Sequence, residues 1–143
     1  MDEKNTNILV IEDDKDTNDI ILTILNDAGF SPFPAYDGEE GLQKAESEQP
    51  DVIILDLMLP KINGLEVCRI LNSNEKTRAI PVIILTAKRE LSTKLSSFVA
   101  GAKRFITKPF ESQDLVNEIR RTIRQKEIAQ NIGEMSEEPH NSQ

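Results

Sequence analysis

Three short runs of apolar residues recur along the chain, at positions 8–11, 52–55 and 82–85. They are rich in β-branched residues and do not alternate with polar ones, which is typical of strands buried on both faces of a parallel sheet. Two weaker strand candidates lie at 31–35 and 103–106. The pattern therefore predicts five strands.

Helical patterns separate these strands, because apolar residues return there at intervals of three and four positions. Asp37 is a suitable N-cap for the second helix, and Gly29 and Gly101 stand where glycine commonly ends a helix. The predicted helices span residues 16–28, 38–48, 64–73, 89–100 and 112–131.

The order strand–helix, repeated five times, predicts an α/β fold with right-handed crossovers and helices on both faces of the sheet. It matches the smaller doubly wound fold, a five-stranded parallel sheet of order 2-1-3-4-5 with five helices. We expect one domain over residues 1–124, then an extended last helix and a loose polar tail over 125–143, with the tail beginning near Gly133. Core or partly buried positions are expected for Phe30, Phe33, Phe98 and Phe110.

Composition narrows the function classes. The 143 residues suit one domain, and the net charge of −8 disfavours direct binding to nucleic acid. No apolar run is long enough for a membrane span, and the polar start does not resemble a secretory signal. The single cysteine, Cys68, suits a reducing compartment. We therefore expect a cytoplasmic protein without a membrane or nucleic-acid partner.

Polar side chains follow four of the predicted strands, and the carboxyl ends of strands are where open α/β sheets form their sites. The sequence has no glycine-rich phosphate loop, and its only histidine, His140, lies in the tail. A histidine relay or a zinc site is therefore disfavoured. The residues at the strand ends are Glu12, Asp13, Asp56, Thr86, Ala87 and Lys108.

Three of these residues are acids, Glu12, Asp13 and Asp56. Two carboxylates about 4 Å apart repel by about 4 kcal/mol at an effective dielectric constant of about 20, so their convergence needs a cation. Mg²⁺ prefers oxygen ligands and commonly binds carboxylates together with phosphate oxygens. Lys108 adds a permanent positive charge. Such a pocket could neutralise a phosphoryl group and hold it in line with a carboxylate nucleophile.

The ordered set of motifs over roughly residues 7–124 resembles the receiver domains of two-component response regulators. The individual motifs are short, and their order and spacing carry the resemblance. They are Glu12-Asp13, Asp56, Pro60, Gly64, Thr86-Ala87 and Lys108-Pro109-Phe110.

The resemblance implies a metal-dependent phosphorylation site. Asp56 would be the phosphoacceptor and would bind Mg²⁺, or Mn²⁺ in its place, together with Asp13. Glu12 would act on the metal through water, and the backbone carbonyl of Met58 would be a further ligand.

The resemblance also implies a switch. Thr86, Ala87 and Lys108 would bind the phosphoryl group, and Thr86 would move toward it while Phe105 turns inward. The affected binding surface would comprise helix 4, strand 5 and helix 5. The implied partners are a sensor histidine kinase or phosphotransfer protein as donor and a downstream protein of unknown identity; a homodimer is a further option.

Alternative functions remain open. The leading interpretation is a phosphorylation-controlled module that catalyses only its own phosphorylation and dephosphorylation, rather than an enzyme with a separate substrate. The alternative is the receiver half of a larger regulator with a DNA-binding or second-messenger output domain. A third class is an interaction domain that has lost the chemistry, which the intact pocket residues disfavour. A haloacid-dehalogenase-like phosphatase would need a second aspartate at the position of Met58.

Overall fold

The computed structural model describes the backbone of residues 3–137, with the side chains of residues 3–133 except Lys4. A short 3₁₀ turn, Glu3–Asn5, precedes the sheet. The strands are β1 (Asn7–Ile11), β2 (Ser31–Ala35), β3 (Val52–Leu55), β4 (Val82–Thr86) and β5 (Arg104–Thr107). The helices are α1 (Lys15–Asp27), α2 (Gly38–Glu48), α3 (Gly64–Ser73), α4 (Leu91–Val99) and α5 (Ser112–Glu137).

All five strands pair in parallel in the order β2-β1-β3-β4-β5, which confirms the predicted doubly wound topology with five helices. Ile11 at the end of β1 pairs in register with Leu55 at the end of β3. The next residues, Glu12 and Asp56, therefore leave the sheet side by side. The Asp56 amide donates to the Ile11 carbonyl at 3.0 Å, which extends the pairing past the end of β3.

The other half of the sheet ends at the same edge. Thr86 pairs with Thr107 at the ends of β4 and β5, and the amide of Lys108 donates to the Thr86 carbonyl at 2.9 Å. Lys108 is thereby held beside the end of β4, at the same edge of the sheet where Glu12 and Asp56 emerge.

The apolar runs fill two cores, one on each face of the sheet. β3 and β4 are buried along their whole length, as expected for strands covered by helices on both sides. Leu9 and Ile53 belong to one core and Ile8 and Ile54 to the other, because neighbouring strand residues point to opposite faces. Among the phenylalanines, Phe30 is buried, and Phe33 and Phe110 pack partly buried against these cores.

Helix ends follow the predicted signals. The Asp37 carboxylate accepts a hydrogen bond from the Glu40 amide at 2.8 Å and so caps α2. Gly29 and Gly101 follow α1 and α4 with φ angles of +99° and +111°, which side chains rarely adopt. At Gly101 a Cβ atom would also lie 2.5 Å from Asn72 Cγ. Both glycines are therefore required by the backbone.

Helix α4 differs from the expectation. Phe98 was predicted to be core or partly buried, and this is wrong, because 41% of it is exposed. The buried residues of this segment are instead small: Ser97 within the helix and Ala100 at its C-cap. The Ser97 hydroxyl donates to the Thr93 carbonyl at 2.8 Å, so its burial leaves no polar group without a partner. All four large apolar residues of α4 are exposed: Leu91, Leu95, Phe98 and Val99.

Helix α5 is longer than predicted and comprises 26 residues. The prediction of a loose tail from Gly133 onward is wrong for residues 133–137, because α5 continues to Glu137. One glycine costs a helix only about 1 kcal/mol, so Gly133 alone does not end it. The rest of the predicted tail, including His140, lies outside the described residues. Within the described range, no helix combines the length and apolar character that a membrane crossing requires.

Candidate functional site

The β1–α1 loop carries the first two acids. Glu12 is buried, with 3% of its surface exposed, whereas Asp13 is exposed. Glu12 Oε2 accepts a hydrogen bond from the Asp14 amide at 3.1 Å. Asp14 itself accepts from the Thr17 amide at 3.0 Å and caps α1. The loop thus uses Asp14 for the helix and leaves Glu12 and Asp13 for the site.

Asp56 follows β3 and is 6% exposed. Its Oδ1 atom accepts a hydrogen bond from the Met58 amide at 3.0 Å. The loop is held by Gly64, whose amide donates to the Leu57 carbonyl at 2.9 Å. A Cβ atom on Gly64 would lie 2.3 Å from the Asp56 carbonyl oxygen, so the loop can approach α3 this closely only at a glycine. Gly64 therefore fixes the backbone that presents Asp56.

Lys108 connects the two halves of the site. Its Nζ atom lies 2.5 Å from Glu12 Oε1 and 3.1 Å from Asp56 Oδ2. The lysine follows β5 and precedes Pro109 through a cis peptide bond. A single cation thus links carboxylates from the ends of β1 and β3, across the position of β4.

The three acids form a cluster able to hold a metal ion. Ligand oxygens of Glu12, Asp13 and Asp56 all lie within 4.8 Å of one another. Carboxylates without nitrogen or sulfur donors fit a hard cation such as Mg²⁺. Since Asp13 is exposed, the cluster is open to solvent on its side. The predicted convergence of these residues with Lys108 is therefore present in the structure.

Burial and charge act in opposite directions on Glu12. Desolvation raises the pKa of Glu12 to about 7, against the hydrogen bonds from Lys108 and from the Asp14 amide, which lower it. For Lys108, desolvation lowers the pKa, but the hydrogen bond to Glu12 and the charge of Asp56 outweigh it, and the net pKa is raised. Lys108 therefore keeps its positive charge, whereas Glu12 is a carboxyl group whose pKa is raised to about 7.

Thr86 and its neighbours form the third side of the edge. Thr86 ends β4 and is completely buried, and its hydroxyl oxygen accepts from the Lys88 amide at 3.4 Å. Ala87 follows on the exposed loop. Phe105 lies on β5, partly buried against the core that includes Cys68.

Two residues at this edge were missed by the sequence analysis. Arg89 Nη2 donates to the Lys108 carbonyl at 2.9 Å and joins the loops after β4 and β5. No sequence signal distinguishes it from other surface arginines. Asn18 is completely buried under the β1–α1 loop. A signal existed there, because Asn18 is a polar residue at helical spacing from the buried Ile21 and Leu25.

These features define the class of small doubly wound α/β domains with an acidic site where the strand order reverses. The sequence profile of the response regulator receiver domain matches residues 8–120. The chain belongs to that family, whose members are signalling modules of two-component systems.

Curated relatives agree with this assignment. The chain is 38% identical over 131 residues to the alkaline phosphatase synthesis transcriptional regulatory protein PhoP of Bacillus subtilis, covering 92% of this chain and 54% of the relative. It is 40% identical over 117 residues to the DNA-binding dual master transcriptional regulator RpaA of Synechocystis, covering 82% and 48%. The chain therefore spans about half the length of these relatives.

Solved structures agree as well. A CheY-like response regulator receiver domain protein from Methanospirillum hungatei superposes with a TM-score of 0.82 at 27% identity, over 87% of this chain and 98% of that one. The receiver domain of the Francisella response regulator 1452 gives 0.78 at 30% identity, over 85% and 98%. The similarity thus spans nearly the whole of each receiver domain.

Proposed function

We propose that Asp56 accepts a phosphoryl group from a phosphohistidine of a sensor kinase or phosphotransfer protein. A carboxylate oxygen of Asp56 forms the new bond to phosphorus while the nitrogen–phosphorus bond of the donor breaks. The electron pair leaves with the imidazole nitrogen, which then takes up a proton. The observation that carries this proposal is the contact of Lys108 with both Asp56 and Glu12.

Three carboxylates fit a Mg²⁺ site, with Mn²⁺ as its substitute. Asp13 and Asp56 would bind the ion directly, Glu12 would act through water, and the Met58 carbonyl would be a fourth donor. When bound, the ion supplies positive charge that offsets the clustered carboxylates and the phosphoryl oxygens. The site is open to solvent on the side of the exposed Asp13, where a donor can enter.

Lys108 and Thr86 bind the phosphoryl oxygens in this proposal. Lys108 is already held at the site by two carboxylates, so it needs little rearrangement to donate to a third oxygen. Thr86 accepts a bond from Lys88, and its own hydroxyl proton is the group that would be donated. Ala87 directly follows Thr86 in the loop after β4. Movement of Thr86 toward the phosphoryl group would leave space for the partly buried Phe105 to turn inward.

The switched surface comprises α4, β5 and α5. The exposed apolar residues of α4 supply a surface of the kind that binds proteins. On the neighbouring elements, Lys103 is exposed and Arg104 pairs with Glu118 at 3.4 Å. We propose a downstream protein, or a second copy of the chain, as the partner of this surface, and no direct contact with nucleic acid or membrane. The module acts in the cytoplasm and catalyses only its own phosphorylation and dephosphorylation.

A larger regulator is the second candidate. The chain spans about half the length of relatives such as PhoP and RpaA, which are named as transcriptional regulators. In that case the module would control a DNA-binding or second-messenger output domain through the same surface.

The proposal is tested by intact-mass measurement after treatment with acetyl phosphate and Mg²⁺. We expect one acid-labile phosphoryl group on the wild type and none on Asp56→Asn. Asp51→Asn is the matched control, because Asp51 precedes β3 at the opposite edge of the sheet and accepts a hydrogen bond from the Asn7 amide at 2.9 Å. Equal labelling of Asp56→Asn and the wild type would exclude Asp56 as the acceptor.

A further inference from the structure

The side chain of Asn18 reaches from the first turns of α1 into the backbone below the acidic loop. It is completely buried. Its Nδ2 atom donates to the Glu12 carbonyl at 3.0 Å and lies 3.3 Å from the carbonyls of Val10 and Ala35. The amide of Glu12 also donates to the Ala35 carbonyl at 3.0 Å. Asn18 therefore connects the ends of β1 and β2 at Glu12, the first residue of the acidic site.

The chemistry of these contacts fixes the orientation of the Asn18 amide. Only the NH₂ group can face three carbonyl oxygens, so Oδ1 must point away. Among the described residues, this Oδ1 atom is buried without a hydrogen-bond partner. A buried polar atom without a hydrogen-bond partner lowers the stability of the fold. The other buried residues of α1, Ile21 and Leu25, are apolar and carry no such cost. An apolar residue at position 18 would avoid this cost but would lose all three contacts.

We propose that Asn18 is a positioning residue for the metal centre. The Glu12 carbonyl belongs to the peptide bond between Glu12 and Asp13, and this bond is planar. Holding its oxygen therefore constrains the plane that contains the Asp13 amide and the Cα atoms of Glu12 and Asp13, from which both carboxylate side chains leave the loop. The inference rests on the proposed function, because that function supplies the metal. The hydrogen bonds from Asn18 to the loop are present without a metal.

The test replaces Asn18 with leucine, which has a similar shape and no donor. Mg²⁺ affinity is measured by NMR titration, and hydrogen exchange of the Glu12 amide is measured without metal. We expect Asn18→Leu to bind Mg²⁺ at least about tenfold more weakly, as found for residues that orient metal ligands. Phosphorylation by acetyl phosphate should slow at low Mg²⁺ and recover at saturating Mg²⁺, and the Glu12 amide should exchange faster.

Ile21→Ala is the matched control, since Ile21 is buried on the same helix. It should reduce the melting temperature while leaving Mg²⁺ affinity and Glu12 exchange unchanged. If Asn18→Leu does not fold, Asn18→Ser, which keeps one donor, should show the same changes to a smaller extent.

Two results would overturn the inference. One is a folded Asn18 variant whose Mg²⁺ affinity lies within about twofold of the wild type with unchanged Glu12 exchange. The other is an equal loss of Mg²⁺ affinity in Ile21→Ala, which would mean that general destabilisation is the cause. If the wild type itself binds no Mg²⁺, the proposed function fails, and the exchange comparison still decides whether Asn18 holds the loop.

Discussion

The ammonium group of Lys108 lies 3.1 Å from Asp56 Oδ2, although 52 residues separate the two in sequence. The same group also contacts Glu12, 96 residues away. Without a metal ion, Lys108 therefore supplies the counter-charge for two nearly buried carboxylates. The carboxylates of the pocket are therefore partly neutralised by the protein itself, which makes Lys108 important for stability.

Replacing Lys108 with methionine should destabilise the metal-free protein by about 1–3 kcal/mol, because the buried carboxylates lose their donor. Urea unfolding at neutral pH measures this loss. Lys61→Met is the control: Lys61 pairs with Asp37 at 3.7 Å and is largely exposed, so its loss should cost less than about 1 kcal/mol. Equal stability of both variants would mean that Lys108 has no such role.

Asp13→Ala should remove Mg²⁺ binding while leaving the metal-free fold intact. Asp13 is exposed, so the relief of repulsion with Glu12 and Asp56 is small, and we expect a gain in stability of less than about 1 kcal/mol in chelator. Calorimetry with and without Mg²⁺ measures both effects. A clear drop in melting temperature in chelator would contradict the view that the acids repel one another.

Gly64→Ala should be destabilising by about 1–3 kcal/mol, because the added Cβ would lie 2.3 Å from the Asp56 carbonyl oxygen. It should also slow phosphorylation of Asp56 by moving its loop. Gly133→Ala is the control: a Cβ atom there meets nothing within 4 Å, and alanine favours the helix by about 1 kcal/mol. Thermal melts should show a lower melting temperature for Gly64→Ala and an equal or higher one for Gly133→Ala. The rate of Asp56 labelling should fall in Gly64→Ala only.

The thiol of Cys68 should be protected by the fold. Burial raises the pKa of Cys68 from its ordinary value of 9.0 to about 11, so the folded state holds this proton more tightly than the unfolded chain. The resulting stability is fully present below pH 9.0 and is lost as the pH rises toward about 11. Cys68→Ala should lack this alkaline loss in urea unfolding. Labelling at pH 8 with a thiol reagent should follow global unfolding, and rapid labelling of the native protein would contradict this.

The fold was largely predictable because its signals are local. The apolar runs around Ile53 and Ile83 mark buried strands, and Asp37 and Gly101 mark helix ends. The acidic pocket followed from one rule, that parallel strands end at a common edge, so Glu12, Asp56 and Lys108 had to emerge together. The pairing of Ile11 with Leu55 then places the first two side by side.

The misses depended on contacts between distant segments. In α4 the sequence does not reveal that Ser97, rather than Phe98, is buried, because this depends on how the helix packs against the rest of the fold. The bond from Arg89 to the Lys108 carbonyl depends on two loops whose paths are set by the whole fold. The continuation of α5 past Gly133 reflects a helix whose flanking residues favour helix enough to include one glycine.

Locating the phosphoryl group in the chain tests directly whether Asp56 is the acceptor. After treatment with acetyl phosphate, borohydride reduces an aspartyl phosphate to homoserine, which peptide mass spectrometry identifies by position. We expect homoserine at position 56, dependent on Mg²⁺ and strongly reduced in Lys108→Met. Homoserine at another aspartate, or equal labelling of position 56 in excess chelator, would contradict it.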